Sequence, residues 1–175
     1  CRLTDYIDAN NDDPITLLLG FLLYTGARRH EAMNAEWQHI NFDTRSWYVP
    51  LTKSGKPRYI VLNDRALGII KNARSLQRKT FGGQHQWLFV NPQSNRPYQC
   101  IFYRWQNIRS QLGLEDMRIH DLRHSFASTL VNNGATLYEV QKLLGHERSA
   151  TTERYAHLAD HTLHRAASLI DIAYK

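Results

Sequence analysis

The stretch HDLRHSFASTL, residues 120–130, puts two histidines, an aspartate and an arginine into five positions and then turns apolar. At helical spacing His120, Arg123, His124 and Ala127 share one face, and Leu122, Phe126 and Thr129 share another. The second set is expected to enter the core. The first is expected to aim polar groups at a helix start, where unpaired backbone N–H groups and the helix dipole already favour an anion. Arg123 adds a planar fork of donors that matches two phosphate oxygens. A helix with this entrance and this flank implies a helical domain organised around an anionic partner.

Local signals continue on both sides. Downstream, Asn133-Gly134 closes the helix. Thr136 and Glu139 then form a capping box for TLYEVQKLLG, with Leu137, Val140 and Leu144 as its apolar stripe and Gly145 as its terminator. SATTERYAHL predicts a short helix, and LHRAASLIDIAYK a last one. Upstream, Asp13 caps a helix with Pro14 at its first position; it runs through ITLLLGFLLYT and stops at Gly26. RRHEAMNAEW, residues 28–37, predicts a second helix at once. The period then changes. INFDTRSWYVPLTKSGKPRYIVLND alternates and holds two turn clusters, which predicts a small antiparallel meander with a hairpin tip at Ser54-Gly55. Asn63 or Asp64 caps RALGIIKNARSLQRKT, closed by Gly82-Gly83. WLFV is a short extended piece, and YQCIFYRWQNIRSQLG an amphipathic helix. The fold class is mainly α with a small antiparallel β-sheet (α+β).

A chain of 175 residues is long enough for one domain with a real core. Its formal charge of +6 and pI of about 9.5 point to a polyanionic partner. The longest apolar run, Ile15 to Tyr24, is shorter than the ~18 residues of a membrane span and predicts a buried helix. Cys1 and Cys100 make neither a disulfide framework nor a zinc knuckle, and reduced thiols in a cytoplasmic protein are expected. The opening CRLTDYIDANNDDP lacks an initiator Met, so a fragment of a longer protein is expected.

Three further stretches carry candidate chemistry. In TGARRHEA, Glu31 stands three residues after Arg28 and within reach of its guanidinium. Such a pair serves equally as a structural ion pair or as a preorganised phosphate clamp. In TKSGKPR, Lys53 and Lys56 flank the turn and Arg58 follows. A basic tip of this kind is either a solvated surface or a lysine inserted beside a phosphate. In LGHERSATTERYAHL, His146 follows a helix-ending glycine and Tyr155 lies nine residues on. A phenol with a pKa near 10 is a poor nucleophile unless cations surround it. His120 and His124 stand at i,i+4 as in a zinc hydrolase, but Asp121 occupies the place of the glutamate in H-E-x-x-H.

Taken in order, TGARRHEA, TKSGKPR, HDLRHSFA, LGH and TTERYAHL resemble the catalytic domain of the tyrosine recombinases, or phage integrases, from about Thr25 to Leu158. EWQHINF before the meander is similar to the tryptophan-containing stretch of that family. The resemblance implies the tyrosine recombinase catalytic-domain fold and a site-specific recombinase or integrase of a mobile element, which cuts and rejoins DNA through a 3′-phosphotyrosyl intermediate. It makes Arg28 the first catalytic arginine, supported by Glu31, and Lys53 the hairpin lysine. His120 and Arg123 match the H-x-x-R pair, His146 the later histidine, and Tyr155 the nucleophile. His120 would manage the tyrosine proton or orient its neighbours. Lys56, Arg58 and His124 are expected to bind DNA.

No metal and no cofactor are expected. The expected partners are double-stranded DNA and further copies of the protein, a tetramer in the full-length form. Residues 1–175 would be the catalytic domain, with the family's N-terminal DNA-clamping domain absent. A tail helix over 159–175 would fold onto its own domain or link subunits. The alternatives are DNA relaxation as in type IB topoisomerases and a DNA-binding module without chemistry.

Overall fold

A computed structural model describes residues 2–50, 55–145 and 150–156. The chain divides into two compact units, one up to Arg123 and one from His124.

The first unit is built on two helices. Helix α1 (Arg2–Ala9) buries Leu3 and Ile7, one turn apart. Helix α2 (Pro14–Thr25) has Asp13 as its cap, whose carboxylate accepts from the Thr16 N–H at 2.9 Å. Nearly every side chain of α2 is buried, so it is the core helix. Helix α3 (Arg29–Met33) is followed by a 3-10 turn, Trp37–His39. Strands β1 (Ile40–Asn41), β2 (Ser46–Val49) and β3 (Arg58–Val61) form the expected antiparallel sheet in chain order. Trp47 pairs with Ile60 in register and both face the core; Trp47 meets the Phe21 ring of α2 at 5.1 Å.

Helix α4 (Asp64–Phe81) is capped by the Asn63 side chain and closed by Gly82 in the left-handed region. It packs on α2 at Gly20, where a Cβ would stand 2.8 Å from Ile69 Cδ1. Strands β4 (Val90–Asn91) and β5 (Arg96–Pro97) pair as a second small hairpin. Helix α5 (Phe102–Gln111) buries Trp105 and Ile108. Helix α6 (Asp121–Asn132) starts in the first unit and continues as the first element of the second. There it is joined by α7 (Leu137–Leu144) and the short α8 (Ala150–Glu153). The second core is Ala127, Val131, Val140, Leu144 and Tyr155. The Thr136–Glu139 capping box and the left-handed Gly145 stand as expected.

Three expectations need correction. The helix predicted over 28–37 ends at Met33. Asn34 turns its side-chain amide onto the His30 carbonyl at 2.9 Å, and the next backbone groups serve a different partner. Leu88 N–H donates to Ala35 O at 2.8 Å, Trp37 N–H to Gln86 O at 3.1 Å, and Glu36 bridges Trp87. The helix predicted over 98–113 begins only at Phe102, because Tyr98 and Ile101 go into the core ahead of it. The short helix expected within SATTERYAHL is present as α8. On α6, Leu122 is buried and Phe126 packs on the second core as expected, but Thr129 is exposed and Ala127 is fully buried, the reverse of what was expected of those two. The second core claims Ala127, a small side chain on a face that otherwise reads as polar. The hairpin tip at 51–54 and the tail helix lie outside the described residues.

Candidate active site

The first unit fixes two arginines at one corner of the chain. Gly26 ends α2 with φ +62°, a conformation that favours glycine, and the chain turns directly into Arg28. Glu31, in the first turn of α3, reaches back to that corner. One carboxylate oxygen accepts from the Arg28 backbone N–H at 2.9 Å, and the other from the Arg28 guanidinium at 3.0 Å. A second guanidinium, that of Arg58 on β3, bonds the same carboxylate at 2.7 Å. Glu31 is buried, with its side chain 5% exposed. Burial alone would push its carboxyl up. The Arg58 charge, the Arg28 N–H and the two guanidinium bonds outweigh it and hold the pKa below the usual value.

Arg123 reaches the same corner from α6. Its Nη1 donates to the Gly26 carbonyl at 2.6 Å, across 97 residues of sequence, and the residue is 5% exposed. Arg123 and His120 line a cleft of about 320 Å³ together with Arg29, His30, Ala27, Leu22 and Ile119. Four of these seven residues are arginine or histidine and none is acidic, so the cleft suits an anion. Arg28 is not among the lining residues; its guanidinium is turned to Glu31.

In the second unit Tyr155 is 5% exposed and packs its ring into the small core. Its phenol oxygen lies 2.5 Å from Nδ1 of His124, one turn into α6. Two other tyrosines are poorer candidates for a nucleophile. Burial, and to a smaller degree the Asp13 charge, pushes the Tyr98 phenol up to about 12. Burial and Asp8 raise that of Tyr24.

The expected site residues are therefore found in three groups: Arg28 with Glu31 and Arg58, Arg123 with His120, and His124 with Tyr155. Lys56 is exposed. Lys53 and His146 lie outside the described residues. Arg58, expected to bind DNA, bonds Glu31, and His124, expected likewise, faces the phenol. Arg29 and His30 line the cleft without having been singled out, although both lie within TGARRHEA, beside Arg28. Among the described residues no group of three or more His, Cys, Asp or Glu could hold a metal ion, and no helix is long and apolar enough to cross a membrane.

Solved structures of tyrosine recombinases share this fold. The XerA recombinase superposes with a TM-score of 0.74 at 24% identity, covering 96% of this chain and 61% of that one. The catalytic domain of bacteriophage HP1 integrase gives 0.64 at 24% identity, covering 88% and 80%. The sequence matches the phage integrase family over residues 2–162, and the chain belongs to that family. It is 34% identical to the integrase of Salmonella phage P22 over 173 residues, which is 91% of this chain and 43% of the relative. It is 32% identical to the tyrosine recombinase XerC of Pediococcus pentosaceus, covering 83% of this chain and 50% of the relative. The chain thus spans about half the length of the curated relatives it matches.

Proposed function

We propose that this chain is the catalytic domain of a site-specific DNA recombinase, part of a longer protein whose N-terminal domain clamps the DNA. The observation that carries the reading is the pair of arginines held ready at the Gly26 corner, Arg28 by Glu31 and Arg123 by a backbone carbonyl, in a chain of the phage integrase family.

In this reading the reaction takes place at one DNA phosphodiester. Tyr155 Oη bonds to the phosphorus and the bond to the 5′-oxygen breaks, leaving a 3′-phosphotyrosine and a 5′-hydroxyl. Arg28, Arg123 and His146 stabilise the charge that grows on the non-bridging oxygens, each such donor contributing ~3 kcal/mol to the barrier reduction. Lys53 protonates the leaving oxygen. A 5′-hydroxyl from a second strand then attacks the phosphotyrosine and restores the enzyme. The covalent link conserves the energy of the broken bond, so the cycle is balanced without a cofactor.

The net charge of +6 supports a grip on duplex DNA through its phosphates, with an affinity that falls steeply as salt rises. Lys56 is proposed as part of that grip. Strand exchange needs several copies on DNA, a tetramer in the full-length protein, with residues 159–175 linking subunits. A cytoplasmic location belongs to the same reading. The names of the relatives, an integrase and a XerC recombinase, support recombination over relaxation or binding alone.

The test is a covalent trap. The protein is mixed with a supercoiled plasmid carrying its gene and flanking DNA, and the reaction is stopped with detergent. The expected outcome is a protein–DNA adduct with a free 5′-hydroxyl, lost in Tyr155→Phe, and recombined products when two sites are present. An adduct unchanged in Tyr155→Phe would refute the reading. Relaxation with no exchange between sites would assign a topoisomerase instead.

A further inference from the structure

We infer that His124, and not His120, takes the proton from the attacking tyrosine. The inference rests on the reading of Tyr155 as nucleophile and deepens it. His120 lines the cleft of the first unit beside Arg123, which suits it to a phosphate oxygen. His124 is the next helix residue after Arg123, and its ring nitrogen faces the phenol at 2.5 Å. With the ring proton on Nε2, Nδ1 is a bare acceptor aimed at the O–H that must ionise. Both rings are held in place. His124 is half-buried on α6, and Tyr155 packs against Ala127 and Val131 of that same helix and Val140 and Leu144 of α7. The ring planes are tilted by 51° with centroids 6.0 Å apart, so the contact is edge-on through the polar atoms and not a stack.

The proton balance closes on this pair. As Tyr155 Oη bonds to phosphorus, its proton passes to Nδ1, and His124 becomes an imidazolium. An imidazole lies about 3 to 4 pKa units below a phenol, so the transfer runs with bond formation and not ahead of it. In the rejoining step the phenolate leaves and recovers the same proton from His124, which returns to neutral. Lys53 has the mirror role on the 5′-oxygen. The two ends of the displacement then have separate proton carriers.

The experiment measures the rate of adduct formation on the same plasmid for wild type, Tyr155→Phe, His124→Ala and His124→Asn, with thermal unfolding as a check on folding. Asparagine places an amide near the position of Nδ1 and can hold the phenol, but it cannot take a proton. The expected result is a loss of ~10²-fold or more in both His124 variants, typical of a missing general base. Added imidazole is expected to restore part of the rate in His124→Ala, and more basic imidazoles to restore more. If His124→Ala is poorly folded, His124→Asn alone decides the matter. A His124→Asn rate within a few-fold of wild type would overturn the proton transfer, whatever His124→Ala does. A wild type that forms no Tyr155-dependent adduct would overturn the reading of the nucleophile itself, and this inference with it.

Discussion

The two arginines and the tyrosine are held in opposite ways. The arginines sit on a large core: Gly26 closes the buried helix α2, Glu31 is bonded three times, and Arg123 is tied to a backbone carbonyl. Among the described residues Tyr155 packs with four other buried side chains, beyond a helix of four residues, with its oxygen facing His124. Under the proposed function the difference is a division of labour. Groups that stabilise a transition state gain from being fixed before the substrate arrives, because no reorganisation is then needed during the reaction. A nucleophile has to form and break a bond in every cycle, and a small core is a lighter constraint on it.

The contrast can be broken at either end. The largest effect is expected from Arg123→Lys, which keeps the charge and loses the planar fork. Adduct formation should fall by ~100-fold or more, as for loss of one fixed donor. The carbonyl of Gly26 also loses its partner, so a urea unfolding curve should register a smaller stability loss, about 1–2 kcal/mol. Leu144→Ala strikes the other core. A cavity there should cost ~2–4 kcal/mol, a large part of what so small a cluster supplies. The expected signature is protease cleavage beyond Arg123 with the first unit still resistant.

Glu31→Gln comes next. It removes the charge that Arg28 and Arg58 share, and about 2 kcal/mol of stability is expected to go, less than for a fully buried pair because Arg28 is 29% exposed. The sign with pH follows from the lowered carboxyl pKa. Its contribution is complete above the ordinary value of 4.5 and is lost as pH falls below that toward the folded value. Wild type should therefore lose stability in that range more steeply than Glu31→Gln does. The smallest effect is expected from Gly20→Ala. The new methyl would stand 2.8 Å from the flexible end of Ile69, and the strain is offset by a helix preference of about 1 kcal/mol. A melting point within a few degrees of wild type is expected.

What was legible in the sequence was local. Asp13-Pro14, Asn63, the Thr136–Glu139 box, Gly26, Gly82 and Gly145 mark helix ends because each end is settled by residues within one turn of it. The Arg28–Glu31 pair was legible for the same reason, at i,i+3. What was missed depends on long-range partners. Gln77 is buried in α4 and binds Trp37, His85, Trp87 and Leu88, yet nothing near it in sequence marks it as a hub. The bond of Arg58 to Glu31 and the contact of His124 with Tyr155, 31 residues away, were likewise not marked by anything near them in sequence. On α6 Leu122 and Phe126 turn to the core as expected, but Thr129 and Ala127 were misassigned because helical spacing groups residues without saying how far the covered face extends.

The most direct test of the proposed chemistry is to map the adduct in wild type and in Arg123→Lys. After detergent arrest and nuclease digestion, mass spectrometry should find a 3′-phosphonucleotide on the peptide containing Tyr155, at a rate of formation lowered by ~100-fold or more in the variant. A nucleotide on any other side chain, or a Tyr155 adduct that forms equally fast without the Arg123 guanidinium, would contradict the proposed roles of Tyr155 and Arg123.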